Sequence, residues 1–352
     1  MAASRQGKSR QRRMKSAPNA SSNTTGTGNG AVRTVAIACQ GGGSLTAFTA
    51  GVLKHLLLDP AMDRYRIVGL SGTSGGAICA LIAWEALLRK DPAEGARKLQ
   101  AFWDDNSANA PLDAWLNAWM VYSGQFAGSI ALPEISPYDM PEVARHELAA
   151  LIERHVPFAT LPTLVRKDSP LLYIGAVNEA SGAFKVFTGK DISVDKVLAS
   201  AALPTIFRAV HIDEGRDRGV YWDGLFSQNP PVREFVQPAT RREDKPDEIW
   251  IIRIDPLAND PEPRTIQQID TRRNILAGNL SLNQELYFLE KVNQWLEKGW
   301  LPPAWFKPIQ VREIRLDVPL NAVSKFDRAP PYIRHLIELG EEQAKRFART
   351  LH

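Results

Sequence analysis

Gly72-Thr73-Ser74-Gly75-Gly76 fits the pattern Gly-x-Ser-x-Gly. It follows the short apolar run Ile67–Leu70 and opens the strongly apolar segment Gly75–Lys90. A serine on a sharp strand-to-helix turn is pushed out of the sheet edge, where its hydroxyl can attack a substrate. Flanking glycines let neighbouring backbone pass close by without side-chain clash. The start of the following helix supplies N–H donors and partial positive charge where an oxyanion would develop. The competing use of these residues is structural, a glycine-rich turn with Ser74 as a helix N-cap. The flanking segments, a strand before and a helix after, favour the nucleophile.

A serine hydroxyl is a weak nucleophile and needs a base. The chain has six histidines, His55, His146, His155, His211, His335 and His352. The order Ser, acid, His of a conventional triad selects His335. Yet Ile333, Leu336, Ile337 and Leu339 around it have the spacing of an amphipathic helix, not of a loop after a strand. Asp223 has a better setting. It follows Val220-Tyr221-Trp222 and precedes Gly224, which predicts a carboxylate at a strand end on a tight turn. A carboxylate within reach of the Ser74 hydroxyl would take its proton directly. Asp-Gly is also an ordinary turn pair, so the spacing alone leaves both readings open.

Gly41-Gly42-Gly43 follows the first predicted strand and precedes a helix. Such a run turns backbone N–H groups toward an anion and suits an oxyanion hole or a phosphate cradle. A dinucleotide site is a poor fit, because Thr46 stands where the third glycine of Gly-x-Gly-x-x-Gly belongs, and no phosphate-loop lysine follows.

The elements that must carry these groups read as follows. Thr34–Gln40 is a buried strand, Ser44–Leu58 a helix, Arg66–Leu70 a second strand and Gly75–Lys90 a second helix. Strand, glycine loop and helix, twice over, predict a parallel sheet with helices on both faces. Further helices are expected at Ala93–Asp105, Pro111–Tyr122, Met140–His155, Asp195–Ala202 and Tyr332–Leu351, with two more between Thr265 and Trp295. Further strands are expected at Leu171–Asn178, Ala183–Thr188, before Asp223, at Glu248–Asp255 and at Val311–Leu316. Residues 31–352 are expected to form one domain, with the motifs in 34–236 and a helical extension over 256–352.

Three motifs in order, Gly41–Gly43, Gly72–Gly76 and Asp223-Gly224, resemble the patatin-like phospholipases. Ala199-Ser200-Ala201-Ala202-Leu203-Pro204 and Asn229-Pro230 are similar to segments of that family as well. The resemblance covers about residues 34–236. It implies a three-layer α/β/α fold with a mainly parallel central sheet. It also implies a serine acyl hydrolase for lipid esters that uses a Ser–Asp dyad and neither histidine, metal nor cofactor. On that resemblance Ser74 is the nucleophile, Asp223 the base, and the amides of Gly41, Gly42 and Gly43 the oxyanion hole. Leu45 and Thr46 depart from the basic residue and glycine common after the glycine loop, and Leu225 departs from the small residue after Asp-Gly. A triad using His335 and a non-catalytic lipid-binding protein remain the alternative readings.

The chain has 352 residues with a net charge of +4, a composition that excludes collagenous, coiled-coil or wholly disordered chains. The charge is local. Arg5, Lys8, Arg10, Arg12, Arg13 and Lys15 lie in residues 1–30, which hold no acidic residue; the rest has 37 Lys and Arg against 39 Asp and Glu. Residues 1–30 are therefore expected to be a disordered basic tail, and no nucleic-acid partner is expected. No apolar run reaches the length of a membrane span. Cys39 and Cys79 are expected to be buried thiols of a reducing compartment, which puts the protein in the cytoplasm, with peripheral contact at the membrane. Two groups of aromatic residues, Leu112, Trp115, Leu116, Trp119 and Met120 on one helical face, and Trp295, Trp300, Trp305 and Phe306, are expected to pack in the core. Anchoring at a lipid surface is the alternative for them.

Overall fold

The computed structural model describes residues 32–351 except 112, 116, 119–135, 140, 205, 214, 238–240, 257–261 and 319–324. Alternation along the first strand, β1 (Arg33–Cys39), organises the molecule. Val35, Ile37 and Cys39 enter one apolar core, while Ala36 and Ala38 enter another on the opposite face. β7 (Glu248–Arg253) repeats the pattern: Trp250 and Ile252 face the first core, Ile249 and Ile251 the second. Strands covered on both faces read as continuous apolar runs, which is why these two are the plainest in the sequence.

Among the described residues eight strands form one sheet, in the order β5 (Val210–Ile212), β6 (Gly219–Asp223), β3 (Leu171–Asn178), β2 (Tyr65–Gly72), β1, β7, β8 (Gln310–Arg315), with β4 (Phe184–Thr188) paired to β3. β2, β3, β1, β7 and β8 run parallel. β4, β6 and β5 make the antiparallel side. Helices Ala47–Leu58, Gly75–Arg89, Pro92–Asn106 and Pro330–Ala348 cover one face, and the long helix Ile266–Glu297 covers the other. The result is the expected α/β/α layering with a mainly parallel centre.

Several elements differ from expectation. β2 runs to Gly72, two residues past Leu70, so the strand ends at the serine turn itself. The two helices expected after Thr265 are one, opened by a capping box between Thr265 and Gln268. β5 was not expected; three residues are too few to give a period. Most of the aromatic face around Trp115 and Trp119 lies outside the described residues, but Trp115 itself is exposed. Trp300 and Trp305 are 66% and 59% exposed, which corrects their assignment to the core. The basic tail, residues 1–30, also lies outside the described residues. Among the described residues no helix is long and apolar enough to cross a membrane.

Cys39 and Cys79 are buried and free. Burial pushes the Cys79 thiol up to about 12 and raises Cys39 as well, so both stay protonated and inert. Glu85, the one acidic residue of the apolar helix Gly75–Arg89, is buried and paired with Arg89 and with Lys98, whose Nζ lies 2.9 Å from it.

Candidate active site

The carboxyl ends of β1, β2 and β7 lie level, with Cys39 opposite Gly72 on one side and Ile252 on the other. Ligands of open α/β sheets bind outside this edge. The glycine loop leaves β1 there, and the serine turn leaves β2. Register also brings in Asp223. Gly72 pairs with Ile174 of β3, and Ala176, two residues on, pairs with Asp223 of antiparallel β6. Ser74 is likewise two residues beyond Gly72, so both side chains reach the same level of the sheet.

Ser74 has φ +55°, a left-handed conformation rare outside glycine. It occupies the N-cap position of helix Gly75–Arg89, but its side chain makes no capping hydrogen bond. The N-cap reading therefore fails, and the hydroxyl is left for other use. Strain of this kind persists only when the surroundings fix it. Here Gly72 and Gly76 allow the tight turn: a Cβ on Gly72 would lie 2.4 Å from the Gly76 carbonyl, and one on Gly76 the same distance from the Cys39 carbonyl. The Ser74 N–H is held by Ser200, donating to its Oγ at 2.9 Å and its carbonyl at 3.1 Å. The Ser200 hydroxyl donates in turn to the Gly175 carbonyl at 2.6 Å.

Asp223 is 4% exposed. Its Oδ1 accepts the Leu225 N–H at 2.8 Å, so one oxygen does serve a turn. The Ser74 hydroxyl faces the carboxylate. Burial drives the Asp223 pKa up to about 7, against the lowering pull of the Leu225 amide, the Ser74 hydroxyl and the charge of Lys325. The Asp223 N–H donates to Ala202 at 3.0 Å. The segment Ala199–Pro204 thus grips the backbone of Ser74 through Ser200 and that of Asp223 through Ala202, and fixes their separation.

The three glycines divide. The Gly41 N–H donates to Asn229 Oδ1 at 2.7 Å, so this amide is already engaged. Its role is close approach: a Cβ on Gly41 would lie 2.4 Å from the Thr73 carbonyl and 2.9 Å from Ser74 Cβ. The amides of Gly42 and Gly43 make no hydrogen bond to a described residue, and Gly43 is exposed with φ +58°. The N–H of Gly75, first residue of the helix, likewise makes no hydrogen bond to a described residue.

No histidine joins this group among the described residues. His335 lies on the exposed face of helix Pro330–Ala348, His55 pairs with Asp59 and His155 with Asp105, and His146 and His211 are exposed. The departures from the expected motif face inward. Leu45 and Thr46 are fully buried, and Thr46 Oγ1 donates to the Gly43 carbonyl at 2.6 Å. Leu225 packs against the long helix at Gly278, where a Cβ would lie 2.8 Å from it.

The family model of the patatin-like phospholipases matches residues 37–236, which hold Ser74, Asp223, the glycine loop, Ser200 and Asn229. The chain belongs to the patatin-like phospholipase family. No curated protein sequence matches it. Among solved structures it is similar to VipD from Legionella pneumophila, at 11% identity and a TM-score of 0.40, covering 91% of this chain and 67% of that one. It is also similar to the type III effector ExoU of Pseudomonas aeruginosa, at 12% identity and a TM-score of 0.37, covering 92% of this chain and 53% of ExoU. This patatin-like chain thus spans about half the length of ExoU. Membership supports lipid acyl hydrolysis in general terms.

Sequence reasoning missed three residues. Ser200 and Asn229 lie in segments already noticed, but their partners are 126 and 188 residues away. Lys325 gave no signal at all, being one lysine between unremarkable neighbours.

Proposed function

We propose that the protein hydrolyses acyl esters of lipids with Ser74 as nucleophile and Asp223 as general base. The observation that carries this reading is the strained, uncapped Ser74 hydroxyl facing the buried Asp223 carboxylate at the carboxyl edge of the sheet. Asp223 takes the Ser74 proton as Oγ attacks the ester carbonyl. The carbonyl oxygen becomes an oxyanion, received by the free amides of Gly42 and Gly43 and by that of Gly75 at the helix start. Collapse breaks the ester bond, and the departing alcohol takes the proton from Asp223. Water then attacks the acyl-Ser74 ester, giving one proton to Asp223; as the acyl carbon–Oγ bond breaks, Asp223 returns that proton to Ser74 Oγ and the carboxylic acid leaves. A base of pKa about 7 suits both directions of transfer near neutral pH. Exposed Tyr287, Phe288, Trp300 and Trp305, with Lys298 over the Trp300 ring, support contact with a lipid surface.

Hydrolysis of p-nitrophenyl butyrate and of phosphatidylcholine vesicles by purified variants tests this. Ser74→Ala should lose at least about a thousandfold in turnover, Asp223→Asn nearly as much, and His335→Ala little. An active, folded Asp223→Asn protein beside an inactive His335→Ala would establish the triad instead.

A further inference from the structure

Asp255 lies just beyond β7 at the same carboxyl edge, and its side chain is fully buried. Its one partner among the described residues is the ammonium of Lys325, 2.6 Å from Oδ1. A buried carboxylate is tolerated only when paired, so Asp255 fixes where that ammonium sits. The Lys325 side chain is itself only 16% exposed. The main chain of Lys325 closes on the glycine loop. Its carbonyl accepts the Ser44 N–H at 2.8 Å, and a Cβ on Gly43 would lie 2.3 Å from that oxygen. A Cβ on Gly42 would lie 3.9 Å from Asp255 Oδ1. The main chain of Lys325 thus abuts Gly43, and the Asp255 carboxylate that holds its ammonium lies beside Gly42.

We infer that Lys325 is the fixed counter-charge of the reaction, held by Asp255 beside the Gly42–Gly43 loop so that it faces the site's negative charge before and after the attack. The inference rests on the Ser74–Asp223 reading above. In the attack one proton passes from Ser74 Oγ to Asp223, the Oγ–carbonyl carbon bond forms, and the carbonyl π pair moves to oxygen. One negative charge leaves Asp223 and one appears at the glycine loop, so the total is unchanged. A cation near both positions needs no rearrangement during the step, which is the condition for strong electrostatic catalysis. Lys325 meets it: its main chain closes on the loop, its ammonium is anchored on Asp255 beside Gly42, and its positive charge pulls the Asp223 pKa downward. Among the described residues, the elements packed on Asp223 otherwise present uncharged groups, Thr73 and Ser74 at the elbow, Ala176 of β3, Ala202, and Gly224 to Ser227 of the following turn. Lys325 is thus a positioning residue for charge, and it reaches the site from a segment outside the family motifs.

The test compares wild type, Lys325→Arg, Lys325→Met and the double variant Lys325→Met/Asp255→Asn, which leaves no unpaired carboxylate to unfold the protein. Two quantities are read: kcat and KM for p-nitrophenyl butyrate, a neutral ester, from pH 5 to 10, and the titration of the Asp223 carboxyl by isotope-edited infrared difference spectra. Removing the charge should lower kcat about tenfold to a hundredfold with KM nearly unchanged. It should also move both the Asp223 titration and the acid limb of the rate profile to higher pH. Lys325→Arg should restore most of each. An unmoved Asp223 titration in folded charge-deleted protein overturns the inference, whatever the status of the dyad. A rise of KM confined to anionic esters, with kcat intact, overturns it too and makes Lys325 a head-group ligand. A shifted titration beside an unshifted rate profile keeps the Lys325–Asp223 coupling and removes Asp223 as the base.

Discussion

Replacing Asp223 by Asn should stabilise the protein while abolishing its activity, and the gain should depend on pH in a defined way. Burial raises the Asp223 pKa from 3.8 to about 7 in the folded protein. The sign follows from linkage. Below pH 3.8 the carboxyl is protonated in both states and carries no penalty. Between 3.8 and about 7 the unfolded chain releases a proton that the folded protein keeps, so the group's stabilising contribution is progressively lost as pH rises. Above about 7 the folded protein holds a buried charge at full penalty. A shift of about 3 units corresponds to roughly 4 kcal/mol. Asparagine keeps the acceptor for the Leu225 N–H and has no charge to bury. Urea unfolding of both proteins at pH 5 and pH 8 measures the effect. The advantage of Asp223→Asn should grow by about 2–3 kcal/mol between those values, since most of the titration lies between them. In wild type the same group governs catalysis: kcat/KM should rise with pH to a plateau above about 7 and be lower by about two orders of magnitude at pH 5. An advantage independent of pH, or a rate profile flat from pH 5 to 8, would refute the buried-base argument.

Three further outcomes follow from the packing. Gly41→Ala places a methyl 2.4 Å from the Thr73 carbonyl; it should reduce kcat by more than about tenfold and lower Tm by several degrees, read by ester hydrolysis and calorimetry. Ser200→Ala removes one of two acceptors for the Ser74 N–H. It should lower kcat severalfold with KM unchanged, and a change in KM alone would argue against the clamp. Deleting residues 1–30 should leave soluble-ester hydrolysis intact but weaken sedimentation with anionic vesicles at low salt, because six cations near such a surface each contribute about 1 kcal/mol before screening; equal binding would remove the tail from any lipid role.

What the sequence made legible is what chain neighbours determine. Ser74, its glycines, the strand before it and the helix after it are contiguous, so the turn and its exposed hydroxyl follow from local chemistry. Asp223 was legible as a strand end, but not its place opposite Ala176, because antiparallel β6 inserts next to β3 after a long excursion. The glycine loop was read as a set of equivalent donors. Its amides differ because Asn229, distant in sequence, occupies one of them. Leu45 and Thr46 depart from the family pattern, and their burial shows them serving the loop's own packing. Aromatic area is usually buried, which is why composition alone places the late tryptophans in the core. Nothing local distinguishes a buried tryptophan from the exposed Trp300 and Trp305.

The central claim, a nucleophilic Ser74 activated by Asp223, is tested most directly by labelling with a fluorophosphonate and mapping the adduct by mass spectrometry. The full-length protein should gain one adduct, on Ser74, faster at pH 8 than at pH 5 as Asp223 ionises. Asp223→Asn should label far more slowly at both values, and Ser74→Ala should not label. An adduct on another residue, or labelling of Asp223→Asn at the wild-type rate, would contradict the account.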